Sequence, residues 1–156
     1  MRKTEREITD RSEIDAILAK AKIVRVAFAV GDEPYIVPLS HGYDAGAGVL
    51  YFHTAVEGQK IECIEANPSV CFEVEGAASI KEGDERGCSW GLLYESVIGY
   101  GVIREITEPG KREEALRCIM RQQSGRDADW TFAPKVLAVT RVWSLGIESV
   151  TGKRSG

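Results

Sequence analysis

Residues that could bind an anion are concentrated in the stretch YFHTAVEGQKIECI, where a predicted strand passes into a predicted helix. Free N–H groups at a helix start attract an anion, and Gly58 would let the backbone approach it closely. Lys60 adds a positive charge, Thr54 adds a hydroxyl donor, and His53 stands beside them. The stretch therefore predicts a phosphate cradle, with an ordinary capped helix and a solvated lysine as the alternative. Its spacing matches neither a Walker loop nor a GxGxxG motif, so no nucleoside triphosphate is implied.

Proton transfer is the chemistry that the two histidines of the chain could supply. His41 and His53 are each predicted to end a strand, and if these strands pair, the two rings could frame one site. Two unrelated surface histidines are the alternative. Ser96 is polar within the apolar stretch LLYESVIGYGVIREI, whose glycines indicate a β-bulge or a close approach to the backbone. Because no nucleophile with its base and orienting group is visible, any chemistry should come from a cofactor.

The composition excludes several classes of protein. A chain of 156 residues with 44% hydrophobic content fits one folded domain, residues 1–156. The net charge of −4 disfavours nucleic-acid binding. No apolar stretch approaches the roughly 20 residues of a membrane span, and the charged N-terminus lacks a signal-peptide core, so we expect a cytoplasmic protein. The four cysteines form no C-x-x-C pair, so no metal site is predicted.

The periodicity of apolar residues predicts about six strands and three helices. Pro38, inside the second strand, predicts an edge strand or a bulge. Because the strands do not alternate regularly with the helices, we expect a mainly β, small antiparallel barrel with peripheral helices rather than a parallel sheet. The first predicted element is a helix with a cap at Asp10 and an apolar face from Ile14 to Ala21. The other predicted elements are strands at 23–30, 34–43, 49–54, 69–75 and 92–106, a helix ended by Asn67-Pro68, a loop at 76–87, a helix after Pro109 and a β-rich ending from Val136.

Four motifs occur together in one order: YIVPLSHGYD, LYFHTAVEGQKIECIEANPSVCFEVE, YESVIGYGVIRE and VTGKRSG. In this order and spacing the chain resembles the nitroimidazole-resistance (5-nitroimidazole reductase) family of the pyridoxamine 5'-phosphate oxidase-like FMN-binding split barrels. The resemblance covers nearly the whole chain, from about Arg6 to Arg154. It implies a six-stranded antiparallel split barrel of Greek-key type, and a homodimer with two FMN sites across its interface.

The resemblance also implies which residues would bind FMN. The second strand would line the isoalloxazine ring and the ribityl chain, and His53 and Thr54 would lie at the flavin and its tail. Gln59 and Lys60 would take the phosphate, and two further residues would come from other strands. These residues are Ile36, Val37, Pro38, Leu39, Ser40, His41, His53, Thr54, Gly58, Gln59, Lys60, Ser96 and Trp143, the last from the partner subunit. Two departures stand out. Gln59-Lys60 replaces the Arg-Lys pair of the oxidases, which removes one cation from the phosphate site. The C-terminal stretch SVTGKRSG lacks the arginine and histidine run with which the oxidases hold their substrate, so pyridoxamine phosphate is not the expected substrate.

The resulting hypothesis is an FMN-dependent reductase of a small acceptor such as a nitro-aromatic. NAD(P)H or another donor would reduce the flavin, and His53, with His41 second, is the candidate proton donor. One alternative is a non-catalytic split barrel that holds flavin, or haem with a histidine as axial ligand. Another is a dimeric scaffold with an empty cleft.

Overall fold

The computed structural model describes residues 3–156, which form an antiparallel sheet with helices around it. Two short 3₁₀ helices, Thr4–Arg6 and Gly87–Ser89, complete the secondary structure of these residues. The strands and α-helices are β1 Glu7–Ile8, α1 Arg11–Lys20, β2 Ile23–Val30, β3 Glu33–Ser40, β4 Gly42–Asp44, β5 Val49–Thr54, α2 Gln59–Ala66, β6 Ser69–Lys81, β7 Gly91–Glu105, α3 Pro109–Ser124, α4 Pro134–Leu137 and β8 Arg141–Ser155.

The strands lie in the order β3-β2-β6-β7-β8-β5-β4, and the two-residue β1 pairs with β8. The two ends of the sheet meet without pairing, since β3 contacts β5 and passes into β4 through His41 alone. A sheet curled until its ends meet, but left unpaired there, is a split barrel. The predicted fold class is thus confirmed in its coarse form, mainly β and antiparallel with peripheral helices.

The strand count differs from the prediction, because the described residues contain eight strands rather than six. The predicted second strand is divided at His41 into β3 and β4, and the two-residue β1 carries too little pattern to be detected. The predicted loop 76–87 is partly strand, because a bulge between Glu75 and Ala78 lets β6 resume pairing as far as Lys81. The β-rich ending starts later than predicted, since α4 occupies its first residues.

Several local predictions are confirmed. Asp10 caps α1 by accepting a hydrogen bond from the Ser12 amide at 2.8 Å. Helix α2 ends at Ala66, directly before Asn67-Pro68. β3, which contains Pro38, lies at the edge of the sheet. Pairing between β7 and β8 shifts register at Tyr100/Gly101, where the sequence indicated a bulge.

Two apolar clusters hold the helices on the sheet. The larger one fills the barrel and includes Phe52, Phe72 and Leu145, together with residues of α1 and α2. The smaller one lies on the outside of the barrel, where α3 packs against β4, β5 and β8. The sheet therefore has an inner face towards the main core and an outer face, which α3 covers at one end.

Helix α3 approaches the sheet most closely at Gly42. A Cβ atom at this position would lie 2.5 Å from the Ile119 amide nitrogen and 2.6 Å from the Cys118 carbonyl carbon, both on the α3 backbone. Because a backbone cannot yield as a flexible side chain does, residue 42 must be glycine for α3 to pack here.

We expect Gly42→Ala to lower the free energy of unfolding by about 1–3 kcal/mol, since it forces α3 away from β4. Chemical denaturation measures this change. Gly110→Ala is the matched control, because nothing lies within 4 Å of its added methyl group and alanine favours the helix that contains it. Equal effects of the two substitutions would contradict the close packing at Gly42.

Candidate functional site

The ends of β3 and β5 form the first part of the predicted site. β4 pairs with β5 so that Gly42 lies opposite Tyr51, and extending this register sets Ser40 opposite His53. Burial follows the same alternation, since Ser40 and His53 are exposed. The structure therefore brings these two predicted site residues to neighbouring places on the outer face.

The outer edge of β3 offers backbone hydrogen-bonding groups to a ligand. Pro34 and Pro38 pair with β2 but cannot donate to it, so they occupy positions whose backbone groups point away from β2. Ile36 lies midway between them and shares their orientation. Its N–H and C=O therefore point towards the open edge, and its side chain is 60% exposed on the outer face.

Alternation along β3 divides the predicted ring-lining residues into two sets. Ile36, Pro38 and Ser40 are exposed on the outer face. Val37 and Leu39 pack against the main core, so they shape the strand from beneath. A ligand on the outer face could touch the side chains of the first set alone.

The start of α2 forms the anion-binding part of the site. Gly58 is the N-cap residue, and its φ of 125° is a conformation that favours glycine. Among the described residues, no side chain caps the helix start, so the first N–H groups, at Gln59 and Lys60, lack a capping oxygen. Within residues 3–156, Lys60 forms no salt bridge. A half-buried lysine and uncapped N–H groups together suit an anion.

Thr54 and Trp143 are joined inside the barrel rather than displayed on its surface. The indole Nε1 of Trp143 donates to the Thr54 hydroxyl at 2.9 Å, and the hydroxyl donates to the Ala55 carbonyl at 2.7 Å. Trp143 is 2% exposed in the core of its own chain, so the expectation that it reaches a partner's site is not met. The pair instead fixes the end of β5, from which the chain turns towards α2.

Arg141 ties α2 to the sheet. Its guanidinium binds Glu105 of β7 at 2.6 Å and Glu65 of α2 at 3.0 Å, and it lies 4.5 Å above the Trp143 ring. The ion pair with Glu105, more than that with Glu65, raises the pKa of Arg141. The charge therefore persists at every working pH. It holds α2 near its C-terminal end, while Lys60 lies at the opposite, N-terminal end.

His41 occupies a different environment from His53. It is fully buried, with its Nε2 atom 3.2 Å from the Leu18 carbonyl oxygen and 3.0 Å from the side-chain Nε2 of Gln122. Its Nδ1 atom has no hydrogen-bond partner within the described chain. Burial lowers the pKa of His41 below 6.5, and the Leu18 contact opposes this shift. The two histidines do not frame one surface site, because His41 joins α1 to α3 in the interior.

Ser96 lies far from the other predicted site residues of its own chain. In the sheet, β2 and β6 separate β7 from β3, a distance of about 14 Å at ~4.8 Å per strand. His53 pairs with Val142, and the adjacent Trp143 pairs with Glu105 at the opposite end of β7, about 30 Å along that strand from Ser96. The resemblance made β7 a neighbour of the site, and within one chain it is not.

A large cavity lies elsewhere in the described part of the molecule. It measures about 970 Å³ between α3 and the outer faces of β4, β5 and β8. Tyr51, Cys118 and Arg121 line it, and none of the predicted site residues does. The predicted site is therefore an open surface on the single chain.

Sequence reasoning missed Arg141 and Gln122. Arg141 gains its role from carboxylates that are 36 and 76 positions away in the chain, and no local pattern marks such pairs. Gln122 lies in an amphipathic helix, where a polar residue normally faces water. Its amide instead binds the Leu18 and Ala21 carbonyls at 2.9 and 2.6 Å.

The strand order and the unpaired meeting of β3 with β5 define an antiparallel split-barrel protein. Residues 10–154 match the pyridoxamine 5'-phosphate oxidase family, which confirms the resemblance. The chain belongs to this family. Within residues 3–156, no helix is both long and apolar enough to cross a membrane.

Solved structures show the same fold. A candidate 5-nitroimidazole antibiotic resistance protein from Bacteroides thetaiotaomicron has a TM-score of 0.82 at 26% identity, over 95% of this chain and 86% of that one. An FAD-binding protein from Mesorhizobium loti has a TM-score of 0.69 at 24% identity, over 97% and 98%. A flavocytochrome from Azotobacter vinelandii has a TM-score of 0.82 at 18% identity, over 100% and 72%.

One curated relative matches by sequence. It is an uncharacterized protein of Rhizobium meliloti (strain 1021), 28% identical over 75 residues. The match spans about half of the relative's length, 48%, and 48% of this chain.

Titration of His41 should make stability depend on pH. In the unfolded chain its ring binds a proton near pH 6.5, whereas the folded protein binds it only at lower pH. The contribution of His41 to the free energy of unfolding is therefore complete above pH 6.5. It is lost as the pH falls towards the folded-state pKa, by up to about 1.4 kcal/mol per pH unit. Unfolding free energies between pH 5 and 8 measure this.

The variant His41→Asn should flatten that pH dependence, because asparagine does not titrate. His53→Asn is the control for loss of an exposed histidine and should leave most of the dependence in place. The same slope in the wild type and in His41→Asn would contradict the burial of a neutral ring.

Proposed function

We propose that this protein is an FMN-dependent oxidoreductase that reduces a small acceptor such as a nitro-aromatic. The observation that carries the proposal is the start of α2, which within residues 3–156 has no capping side chain and whose Lys60 has no ion-pair partner there. It lies next to the end of β5 that meets the open edge of β3. An anionic group and a planar ring with hydrogen-bonding edges are the two parts of a flavin mononucleotide. The start of α2 suits the anionic group, and the open edge of β3 suits the planar ring.

The phosphate would bind at the start of α2. Lys60 supplies the charge, the N–H groups of Gln59 and Lys60 supply donors, and Gly58 leaves room for a close approach. Gln59 contributes an amide where the oxidases of this family have an arginine, so the site has one cation fewer. The uncapped backbone donors therefore carry more of the affinity here.

The flavin ring would lie on the outer face along β3. The free N–H and C=O of Ile36 can pair with the polar edge of the ring, while the side chains of Ile36 and Pro38 offer an apolar surface. Ser40 continues this surface towards His53. Flavin supplies the two-electron redox chemistry when bound, and the protein supplies position and proton control.

His53 is the residue best placed to move a proton. Its side chain is exposed on the outer face, and nearby protein atoms lower its pKa below 6.5 by desolvation. At pH 7 most rings are therefore neutral, and protonation at the imidazole nitrogen becomes substantial as the pH falls below 6.5. His41, buried against α1 and α3, would serve the fold.

The proposed acceptor and the form of the flavin rest on the relatives. The Bacteroides thetaiotaomicron relative, described as a candidate 5-nitroimidazole antibiotic resistance protein, supports a nitro-aromatic acceptor. The Mesorhizobium loti relative is described as FAD-binding, so FAD must be compared with FMN. We take NAD(P)H as the donor to test first, and a cytoplasmic location remains the expectation.

A homodimer would complete the site. Members of this family are typically dimeric. Ser96 and His53 lie too far apart in one chain to contact the same small ligand, so they can share a flavin only if two chains contribute. The open surface that the single chain presents at β3 and α2 agrees with a site closed by a partner.

Reversing the charge of Lys60 tests the phosphate position. Lys60→Glu should raise the Kd for FMN about tenfold or more, because a charge-assisted contact worth about 1.5–3 kcal/mol becomes repulsive. Titration of the apoprotein with FMN measures the Kd. Lys135→Glu makes the same change in net charge on the exposed surface of α4, outside the proposed site, and should leave the Kd unaltered. Equal Kd values for both variants would sink this placement.

A proline at position 36 tests the backbone edge. Ile36→Pro removes the outward N–H without breaking a bond to β2, as Pro34 and Pro38 already show. We expect the Kd for FMN to rise roughly three- to tenfold, the equivalent of one hydrogen bond of about 0.5–1.5 kcal/mol. Ile36→Val, which keeps the N–H, is the control. An unchanged Kd in a folded Ile36→Pro protein would show that the ring binds elsewhere.

Replacing His53 tests its part in proton transfer. His53→Ala should lower turnover of a nitro-aromatic on the order of a hundredfold while flavin content stays the same. His53→Gln keeps a hydrogen-bond donor but cannot titrate, so it should be nearly as slow. Steady-state rates normalised to bound flavin measure the effect, and wild-type turnover in either variant would remove His53 from the mechanism.

A further inference from the structure

The β6–β7 hairpin extends past the bulge at Glu75/Ala78 as an arm, defined here as residues 78–94. Ala78–Lys81 pairs with Gly91–Tyr94, so the arm is a regular antiparallel ribbon. Its outer face carries two large apolar side chains directly opposite each other: Ile80, 63% exposed, and Leu92, 49% exposed. Nothing in the proposed function uses this surface.

The tip of the arm is an ordered loop. Asp84 accepts hydrogen bonds from the Arg86 guanidinium at 2.6 Å and from the Ser89 hydroxyl at 2.8 Å. The contact with Arg86, followed by that with Ser89, lowers the pKa of Asp84 to about 2. The carboxylate therefore stays ionised at neutral pH, and the loop keeps its shape.

Trp90 is held in a fixed orientation at this tip. Its indole Nε1 donates to the Asp84 carbonyl at 2.8 Å, although 49% of the side chain is exposed. An exposed tryptophan leaves a large apolar surface in contact with water, which is unfavourable. A tryptophan that is exposed and already oriented is the kind of residue that anchors interfaces, because little side-chain entropy remains to be lost.

The arm continues the outer face that leads to the proposed flavin site. On β7, Leu92, Ser96 and Tyr100 point the same way, since alternate residues share a face. The paired strands add their own outward residues to this face. Six of the ten exposed large apolar side chains of the described chain lie on it: Ile23, Ile36, Ile80, Leu92, Ile98 and Tyr100.

A second copy of this chain is the occupant that this surface fits. The face carries exposed apolar side chains and, between them, Arg25 with its ion-pair partners Glu73 and Glu75. A face that presents the same residues on both copies can be self-complementary in a two-fold dimer. Ser96 lies on this face and needs a partner chain to share a site with His53. The arm extends about 20 Å from Ser96 to Trp90, longer than the ~13 Å between Ile36 and Ser40. A partner's arm is therefore long enough to run along the site.

We propose that the arm of one chain packs across the outer face of a second copy, where Trp90 forms the outer wall of that copy's flavin site. The proposal rests on the proposed function for the identity of the site. It assigns the arm a part in shaping the acceptor pocket, which a single chain leaves open.

Cys88 makes the test direct, because it is the exposed cysteine at the arm tip, whereas Cys63 is buried and Cys71 and Cys118 are half-buried. Purified protein is labelled at Cys88 with a benzophenone maleimide and irradiated. A covalent dimer on a denaturing gel, with the crosslink mapped by mass spectrometry to β3 or to residues 55–60, is the expected result. Cys88→Ser should lose this band. In the wild type, the yield of the crosslinked dimer should not vary with protein concentration, because the dimer exists before irradiation.

Two outcomes would overturn the proposal: no crosslinked dimer, or a dimer linked only through the partner's arm or α3. The absorbance of the same sample reports bound flavin separately. Flavin without the expected crosslink rejects the arm alone, whereas absence of flavin and of flavin uptake rejects the proposed function.

A second measurement addresses Trp90 itself. Trp90→Ala should make bound flavin more accessible to quenching by iodide, and Trp90→Phe should restore most of the protection because it keeps an aromatic ring. Equal quenching in the wild type and in Trp90→Ala, at equal flavin content, would show that Trp90 does not wall the site.

Discussion

The closure of the sheet at His41 and Gly42 is the constraint on which the rest of the structure depends. The segment from β3 to β4 pairs with β2 as far as Ser40 and with β5 from Gly42 onwards, so the backbone of His41 between them has no strand partner. Helix α3 supplies the missing partners. The side-chain Nε2 of Gln123 donates to the His41 carbonyl at 2.8 Å, and the side-chain oxygen of Gln122 accepts from the Tyr43 backbone N–H at 2.7 Å. Buried backbone groups without such partners would each cost about 1–3 kcal/mol.

This corner also decides where ligands can bind. Because His41 and Phe52 point inwards at the corner, Ser40 and His53 point outwards. The interior of the barrel is filled by apolar side chains, so the proposed chemistry lies on the outer face, where β3 keeps a free edge and α2 begins. Arg141 and the Thr54–Trp143 hydrogen bond stiffen this region from beneath. A rigid scaffold with an open ligand surface leaves the final shape of the site to a second chain.

Sequence patterns predicted the elements whose signals are local. The cap at Asp10, the stop at Asn67-Pro68 and the edge position of Pro38 follow from single residues and their chemistry. The division at His41 was not predictable, because YIVPLSHGYD alternates as one strand and only tertiary packing against α3 bends it. The continuation of β6 was hidden by the glycine- and alanine-rich composition after the bulge. In the site, the stretch from His53 to Lys60 was visible in sequence, whereas the interior place of His41 depends on contacts 81 positions apart with Gln122.

The visible absorption spectrum of the purified protein, taken before and after titration with FMN and in parallel with FAD, tests the central claim most directly. The account predicts the two-band spectrum of a flavin, or saturable uptake with FMN bound at least as tightly as FAD. A protein that carries no flavin and takes up neither form would contradict it. A Soret band would contradict it as well, and would identify the family member as a haem-binding split barrel instead.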